Sequence, residues 1–124
     1  MWNLNSDRPI YLQLTEEIQR RIITGTYQAG DRLPSVRELA EEASVNPNTM
    51  QKAMAELERA GLVYTQRTNG RFITEDQAMI QTLKSSLATK QIQAFLEVMK
   101  QYGYEAKEVA SLILNQTQTV PREE

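Results

Sequence analysis

The chain has 124 residues, which at roughly 100–200 residues per domain is one domain with room for a short appendage. Hydrophobic residues make up 40% and charged residues 24%, with a net charge of −2; this composition excludes disordered and fibrous classes, and the charge argues against a nonspecific nucleic-acid binder. With no cysteine and no histidine, disulfides, thiolate nucleophiles and Cys/His zinc sites are excluded, and any enzyme would lack the commonest general base.

Ser6 or Asp7 is predicted to cap a first helix, with Pro9 in its first turn, where a missing N–H costs nothing. Ile10, Leu14, Ile18 and Ile22 recur every four residues and form its apolar stripe. Gly25 stops it, and residues 25–31 read as a loop. Ser35 and Glu38 have capping-box spacing for a short helix over 36–43, with Val36, Leu39, Ala40 and Ala43 inward. Ser44-Val45 is a tight link. Asn46 caps and Pro47 opens a third helix, whose buried side is Met50, Ala53, Met54, Leu57 and Ala60; Gly61 ends it. Residues 62–66 and 71–74 are β-type runs joined by Arg67-Thr68-Asn69-Gly70, a hairpin turn that exploits the tolerance of Asn-Gly for positive φ. Helical spacing returns after Asp76 with Ile80, Leu83, Leu87, Ile92, Phe95, Leu96, Met99 and Tyr102. The spacing slips between Leu87 and Ile92, which predicts a break near Thr89. Gly103 is a stop, and residues 105–115 form a last helix with Val109, Leu112 and Ile113 inward. Residues 116–124 are polar and predicted to be a disordered tail. Trp2 docks on the core or on a second copy.

Three short helices and a two-stranded hairpin make a winged helix-turn-helix over residues 1–76. The fold class is mainly α with a small β-hairpin, followed by a two-helix dimerisation element over 77–115. In this architecture the start of the third helix points outward and fits a DNA major groove about 12 Å wide. Its free N–H groups suit phosphate. Asn46, Asn48, Thr49, Gln51 and Lys52 there are hydrogen-bonding types with no acid among them. Asn and Gln pair with adenine, and Lys reaches guanine or phosphate. The hairpin tip, with Arg67 and Arg71 flanking Asn69-Gly70, lies along an adjacent groove, where glycine permits close backbone approach. Arg32, Arg37 and Ser35 complete the candidate DNA-binding set. Each has a plainer reading. Ser35 and Asn46 are helix caps, Asn69 and Gly70 make the turn, and Arg37 pairs with Glu41 four positions on. Arg32, Lys52, Arg67 and Arg71 are solvated cations. Thr49 and Gln51 have no evident structural task, which favours function for them.

The run Gly30-Asp31-Arg32-Leu33-Pro34-Ser35-Val36-Arg37-Glu38-Leu39-Ala40 resembles the amino-terminal signature of GntR-type transcriptional regulators. Val45-Asn46-Pro47-Asn48-Thr49-Met50-Gln51-Lys52-Ala53, Leu57-Glu58-Arg59-Ala60-Gly61-Leu62 and Gly70-Arg71-Phe72-Ile73 continue the resemblance. It runs from about Pro9 to Ile73, over half the chain. It implies a winged-helix regulator that binds double-stranded DNA as a homodimer. The family's base-reading arginine falls on Arg37, and further DNA contacts fall on Asn48, Thr49 and Gly70. Many members carry arginine where this chain has Pro47 and Gln51. The Asn-Pro-Asn-Thr version resembles the short YtrA-like subfamily, which implies a different operator.

Other branches of that family hold a metal with histidines in a helical effector domain; this chain has no histidine. The 48 residues after Asp76 are also fewer than the roughly 50 an independent domain needs. Ile80, Leu83, Leu87, Ile92, Phe95, Leu96 and Met99 are therefore read as the dimer seam, since an amphipathic helix needs a partner surface. The expected function is sequence-specific transcriptional regulation, with repression the favoured sense, by a homodimer on a two-fold symmetric operator. No metal, cofactor or membrane partner is expected, and a small-molecule effector of unidentified chemistry is allowed for. The start of the chain lacks a secretory pattern and no apolar run approaches a membrane span, so a cytoplasmic protein is expected. The alternative is a winged-helix protein-interaction module without DNA binding, supported by the acidic pI near 5.3. An enzyme ranks last, and Glu16-Glu17, Glu41-Glu42 and Glu123-Glu124 are read as solvated surface.

Overall fold

The computed structural model describes residues 2–119. In chain order it contains α1 (Ile10–Ile23), α2 (Val36–Ala43), α3 (Pro47–Arg59), β1 (Val63–Gln66), β2 (Gly70–Ile73), α4 (Gln77–Gln101) and α5 (Ala106–Thr119). The chain divides after Lys84 into two units, so the boundary falls inside α4 and not at its start.

In the first unit α1 and α2 both pack on α3. Leu14, Ile18, Leu39, Met50, Ala53, Met54 and Leu57 are almost completely buried, as the four-residue spacing of each stripe requires. Ala60, expected inside, is exposed because it is the C-cap of α3. Trp2 docks on this core. Neither Ser6 nor Asp7 caps α1. Pro9 is the N-cap with no side-chain hydrogen bond. Pro9 itself has ψ 134°, outside the helical region, so the helix starts only after it. The buried Gln13 pins the arm instead. Its Nε2 donates to the Asn5 and Arg8 carbonyls at 2.8 and 2.9 Å, and its Oε1 accepts the Asn5 N–H at 2.9 Å.

The short helices end where local chemistry dictates. Ser35 Oγ accepts the Glu38 N–H at 3.1 Å while Glu38 Oε1 accepts the Ser35 N–H at 2.8 Å, closing the capping box. Ser44 takes the left-handed conformation at φ 58°, which reverses the chain between α2 and α3. Asn46 Oδ1 accepts the Asn48 N–H at 2.7 Å, and Pro47 occupies the first turn of α3.

The hairpin pairs Val63 with Ile73, Tyr64 with Phe72, Thr65 with Arg71 and Gln66 with Gly70. Its loop is residues 67–69, one residue shorter than expected. The Asn69 N–H bonds the Gln66 carbonyl at 2.8 Å, and Gly70 follows at φ +97° while Asn69 keeps negative φ. This is a three-residue loop followed by a positive-φ glycine that opens β2, so only the glycine of Asn69-Gly70 uses the positive-φ region. On its other edge β2 pairs with the segment entering α2, through the Leu33 N–H to the Arg71 carbonyl at 2.9 Å and the Ile73 N–H to the Asp31 carbonyl at 2.8 Å. The wing is thereby tied to the start of α2.

The expected break near Thr89 is absent; α4 runs unbroken through it. No glycine or proline interrupts residues 77–101. At about 100° per residue, the early group Met79, Ile80, Leu83 and Leu87 and the later group Ile92, Phe95, Leu96 and Met99 centre on different faces. The slip is a change of packing face along one helix. Met79, Ile80 and Leu83 pack on the core of the first unit. In the second unit Val109 is buried, whereas Leu112 and Ile113, expected inward, are 36% and 47% exposed. Ile92, Phe95, Val98 and Leu114 are also exposed, and Leu87, Leu96 and Met99 are half-buried. Helix α5 continues to Thr119, four residues into the expected tail; residues 120–124 lie outside the described ones.

The glutamates expected as solvated surface are mostly engaged. Glu16 bonds Arg8 at 2.7 Å, and Glu17 pairs with Arg20 and with Arg21 at 3.1 Å. Glu42 Oε2 accepts Trp2 Nε1–H at 2.7 Å and pairs with Arg21 at 2.9 Å. The Arg21 guanidinium also lies 4.5 Å over the Trp2 ring. Glu123 and Glu124 lie outside the described residues. Burial pushes the Glu42 carboxyl up, but the bonds from Trp2 and Arg21 outweigh it and hold its pKa below the ordinary range. A lowered folded pKa means the unfolded chain takes up this proton first as pH falls. The stability it supplies is complete above the unfolded pKa of about 4.3 and lost as pH falls through the folded value. Melting followed by the emission of Trp2, the one tryptophan, will show the Tm falling on acidification below about pH 5. Glu42→Gln will flatten that fall, and an unchanged pH dependence in the variant would contradict the assignment.

Candidate nucleic-acid interface

A cleft opens between the start of α2, the outer face of α3 and the wing. Arg32, Ser35, Arg37, Gln51, Gly70 and Arg71 line it together with Glu38 and Thr65. Residues far apart in sequence, from α2, α3, β1, β2 and the loop before α2, thus meet at one cleft. Asn46 and Asn48 are exposed at the start of α3, with Thr49 half-buried beside them; Arg67 and Asn69 are exposed on the wing tip.

The structure separates free side chains from committed ones. Arg37 is exposed and has no ion pair or hydrogen bond among the described residues; the pairing with Glu41 is not formed. The Gln51 side chain is likewise exposed without a partner. Ser35 is committed as a cap, and Asn46 likewise. Lys52 is not simply solvated: its Nζ lies 4.0 Å over the Tyr11 ring, which draws the ammonium toward α1. Arg71 is not simply solvated either. Its Nε donates to Glu58 Oε1 at 2.9 Å, and its terminal nitrogens have no partner among the described residues.

Charge in the cleft is arranged against its own acids. Glu38 stays ionised because the backbone N–H of Ser35, and then its hydroxyl, hold its pKa down. The Thr65 hydroxyl does the same for Glu58; burial opposes it and Arg71 adds to it. Both carboxylates therefore already accept hydrogen bonds from the protein. The first turn of α3 carries no acidic residue, so the positive end of its dipole is uncompensated and suits an anion. Tyr11, Glu58 and Thr65 were not among the sequence candidates. No local signal marked them: the four-residue turn set Gln66 opposite Arg71, where the structure has Thr65.

Gly70 has φ +97°, and a Cβ there would meet Arg32 Nε at 3.1 Å. Arg32 is flexible and can move, so backbone strain dominates. Gly70→Ala is expected to destabilise the fold by about 1–2 kcal/mol. Arg37→Ala will leave stability within about 0.5 kcal/mol of the parent. Urea denaturation of both checks this; a clear loss for Arg37→Ala would mean it serves the fold.

The profile of the bacterial regulatory proteins of the gntR family matches residues 10–73. The chain is 40% identical over 104 residues to the uncharacterized HTH-type transcriptional regulator YhcF of Bacillus subtilis, covering 84% of this chain and 86% of that protein. It is 45% identical over 71 residues to the HTH-type transcriptional repressor YtrA of the same organism, covering 57% of this chain and 55% of that one. Among solved structures, a GntR family transcriptional regulator from Listeria monocytogenes superposes with a TM-score of 0.84 at 38% identity, covering 90% of this chain and 98% of that one. The DNA-binding domain of AraR in complex with its operator ORR3 superposes with a TM-score of 0.51 at 29% identity, covering 60% and 92%. The matched residues 10–73 are the three helices and wing that build the cleft, and the chain belongs to the GntR family of bacterial regulatory proteins.

Proposed function

We propose that this DNA-binding transcriptional regulator is a repressor that acts as a homodimer on a two-fold symmetric operator. The observation that carries the DNA-reading part is the cleft. It gathers unpaired Arg37 and Gln51 beside a recognition helix whose start bears no acid. An arginine left unpaired next to that helix suits bidentate contact with guanine. Arg37, Thr49 and Gln51 read bases. Arg71, Lys52 and the start of α3 hold phosphates, with Arg32, Asn48, Arg67, Asn69 and Gly70 lying along the same path. The operator complex of AraR, a relative of the same fold, supports this use of the cleft. Relatives named as repressors support the sign of regulation. The relatives matched are transcriptional regulators and not enzymes. No helix among the described residues is long and apolar enough to cross a membrane.

The exposed apolar side chains of the second unit support the homodimer. Ile92, Phe95, Leu112 and Ile113 lie open, with Leu87, Leu96 and Met99 half-covered. Such a face needs a partner surface. Ile80 and Leu83 drop out of the seam, because packing on their own core accounts for them.

Selection of sites from random duplex DNA will enrich a motif with two-fold symmetry, and sedimentation will show a dimer. Arg37→Ala will cost about 1–3 kcal/mol of operator affinity and relax preference at one position per half-site. No enrichment by folded, dimeric protein at low salt would favour the protein-interaction reading. A uniform loss over all sequences would make Arg37 a phosphate contact.

A further inference from the structure

Glu58 is an acid placed where an acid is unwelcome. It sits near the end of the recognition helix, beside a cleft proposed to hold DNA phosphates, and plain electrostatics makes it a liability there. Its contacts offer a reason for it. Glu58 Oε2 accepts the Thr65 hydroxyl of β1 at 2.6 Å, and Oε1 accepts Arg71 Nε of β2 at 2.9 Å. Thr65 and Arg71 face each other across the hairpin. One carboxylate therefore holds both strands of the wing at a single rung. The backbone bonds of β2 tie the wing to the entry of α2. Among the described residues, the side-chain hydrogen bonds from α3 to the wing run through Glu58.

The bond to Nε also fixes the guanidinium plane. A guanidinium presents its donors in a rigid fork, so committing Nε directs the two terminal nitrogens. Those nitrogens carry no partner among the described residues, and Arg71 lines the cleft. We infer that Glu58 is a positioning residue for DNA binding. It aims Arg71 at a backbone phosphate, with the Thr65 bond holding the carboxylate in place to do so. This inference rests on the DNA-binding reading above and assigns a role to a residue that itself touches no DNA.

The test is a double-mutant cycle on the selected operator, with affinity measured across a salt series for the parent, Glu58→Ala, Glu58→Gln, Arg71→Ala and Glu58→Ala with Arg71→Ala. Removing a negative charge near DNA should by itself tighten binding. The inference expects the reverse: Glu58→Ala weakens binding about tenfold and lowers the slope of log K against log salt by about 0.9, as Arg71→Ala does. Where Arg71 is already alanine, losing Glu58 should change affinity less than about twofold. Glu58→Gln keeps the shape and one acceptor, so it should fall between; it also serves if the alanine variant melts too low to assay. Tighter or unchanged binding by both Glu58 variants would overturn the inference, as would an equal loss in both Arg71 backgrounds. If the parent selects no operator, the DNA-binding reading itself fails and this inference with it. If the parent selects one and Arg71→Ala lowers the slope while the Glu58 variants do not, only this inference fails.

Discussion

The burial of one face of α3 is the constraint on which the rest depends. Met50, Ala53, Met54 and Leu57 are at most 1% exposed, clamped between α1, α2 and the hairpin. Fully burying a side chain as large as Met or Leu contributes about 1.5–3 kcal/mol, whereas an exposed ion pair contributes at most about 1. The apolar face therefore fixes the helix, and polar contacts only refine its setting. Because that face is committed to the core, the opposite face takes no part in the core. Asn48, Gln51 and Lys52 stand there, at the end that the left-handed Ser44 and the Asn46 cap turn outward. The same fixed helix gives α2 and the wing a common reference, and Arg37 and Arg71 reach one cleft as a result.

Electrostatics then decides what the cleft can hold. A net charge of −2 rules out attraction of DNA by the molecule as a whole, so affinity must come from placement. The placement is economical. Glu38 and Glu58, the acids nearest the cleft, accept hydrogen bonds from Ser35, Thr65 and Arg71, while Arg37 is left without a partner. At the other end of α2, Glu42 carries the opposite commitment: Trp2 and Arg21 hold it and fasten the arm to the first unit. The polar side chains of this small domain thus divide into those that close the fold and those held ready for a ligand.

Local chemistry made much of this legible in the sequence. The limits of α2, the Ser35–Glu38 box, the Asn46-Pro47 start of α3 and the stop near Gly61 follow from caps and backbone preferences within a few residues. Ser35, Arg37 and Gln51 line the cleft from the starts of those helices, whereas Thr65, Gly70 and Arg71 reach it from the wing. The misreadings have physical causes too. Taking Arg67 to Gly70 as a four-residue turn set Gln66 opposite Arg71. A three-residue loop puts Thr65 there instead, and a one-residue slip changes every neighbour on the face. The supposed break at Thr89 came from treating one helix as having one partner surface. Contacts such as Glu58 with Arg71, Lys52 with Tyr11 and Trp2 with Glu42 join residues 13 to 41 positions apart. No spacing rule reaches that far, so the fold had to supply them.

The central claim is that α2, α3 and the wing form one surface for duplex DNA. Resonance mapping of the labelled protein as operator duplex is added tests it most directly. The account predicts that the largest changes fall on the Arg37 side chain, on Asn48 through Lys52, and on Gly70 and Arg71, while the buried face of α3 keeps its shifts. Changes concentrated on the exposed side chains of α5, with the cleft unmoved, would contradict it.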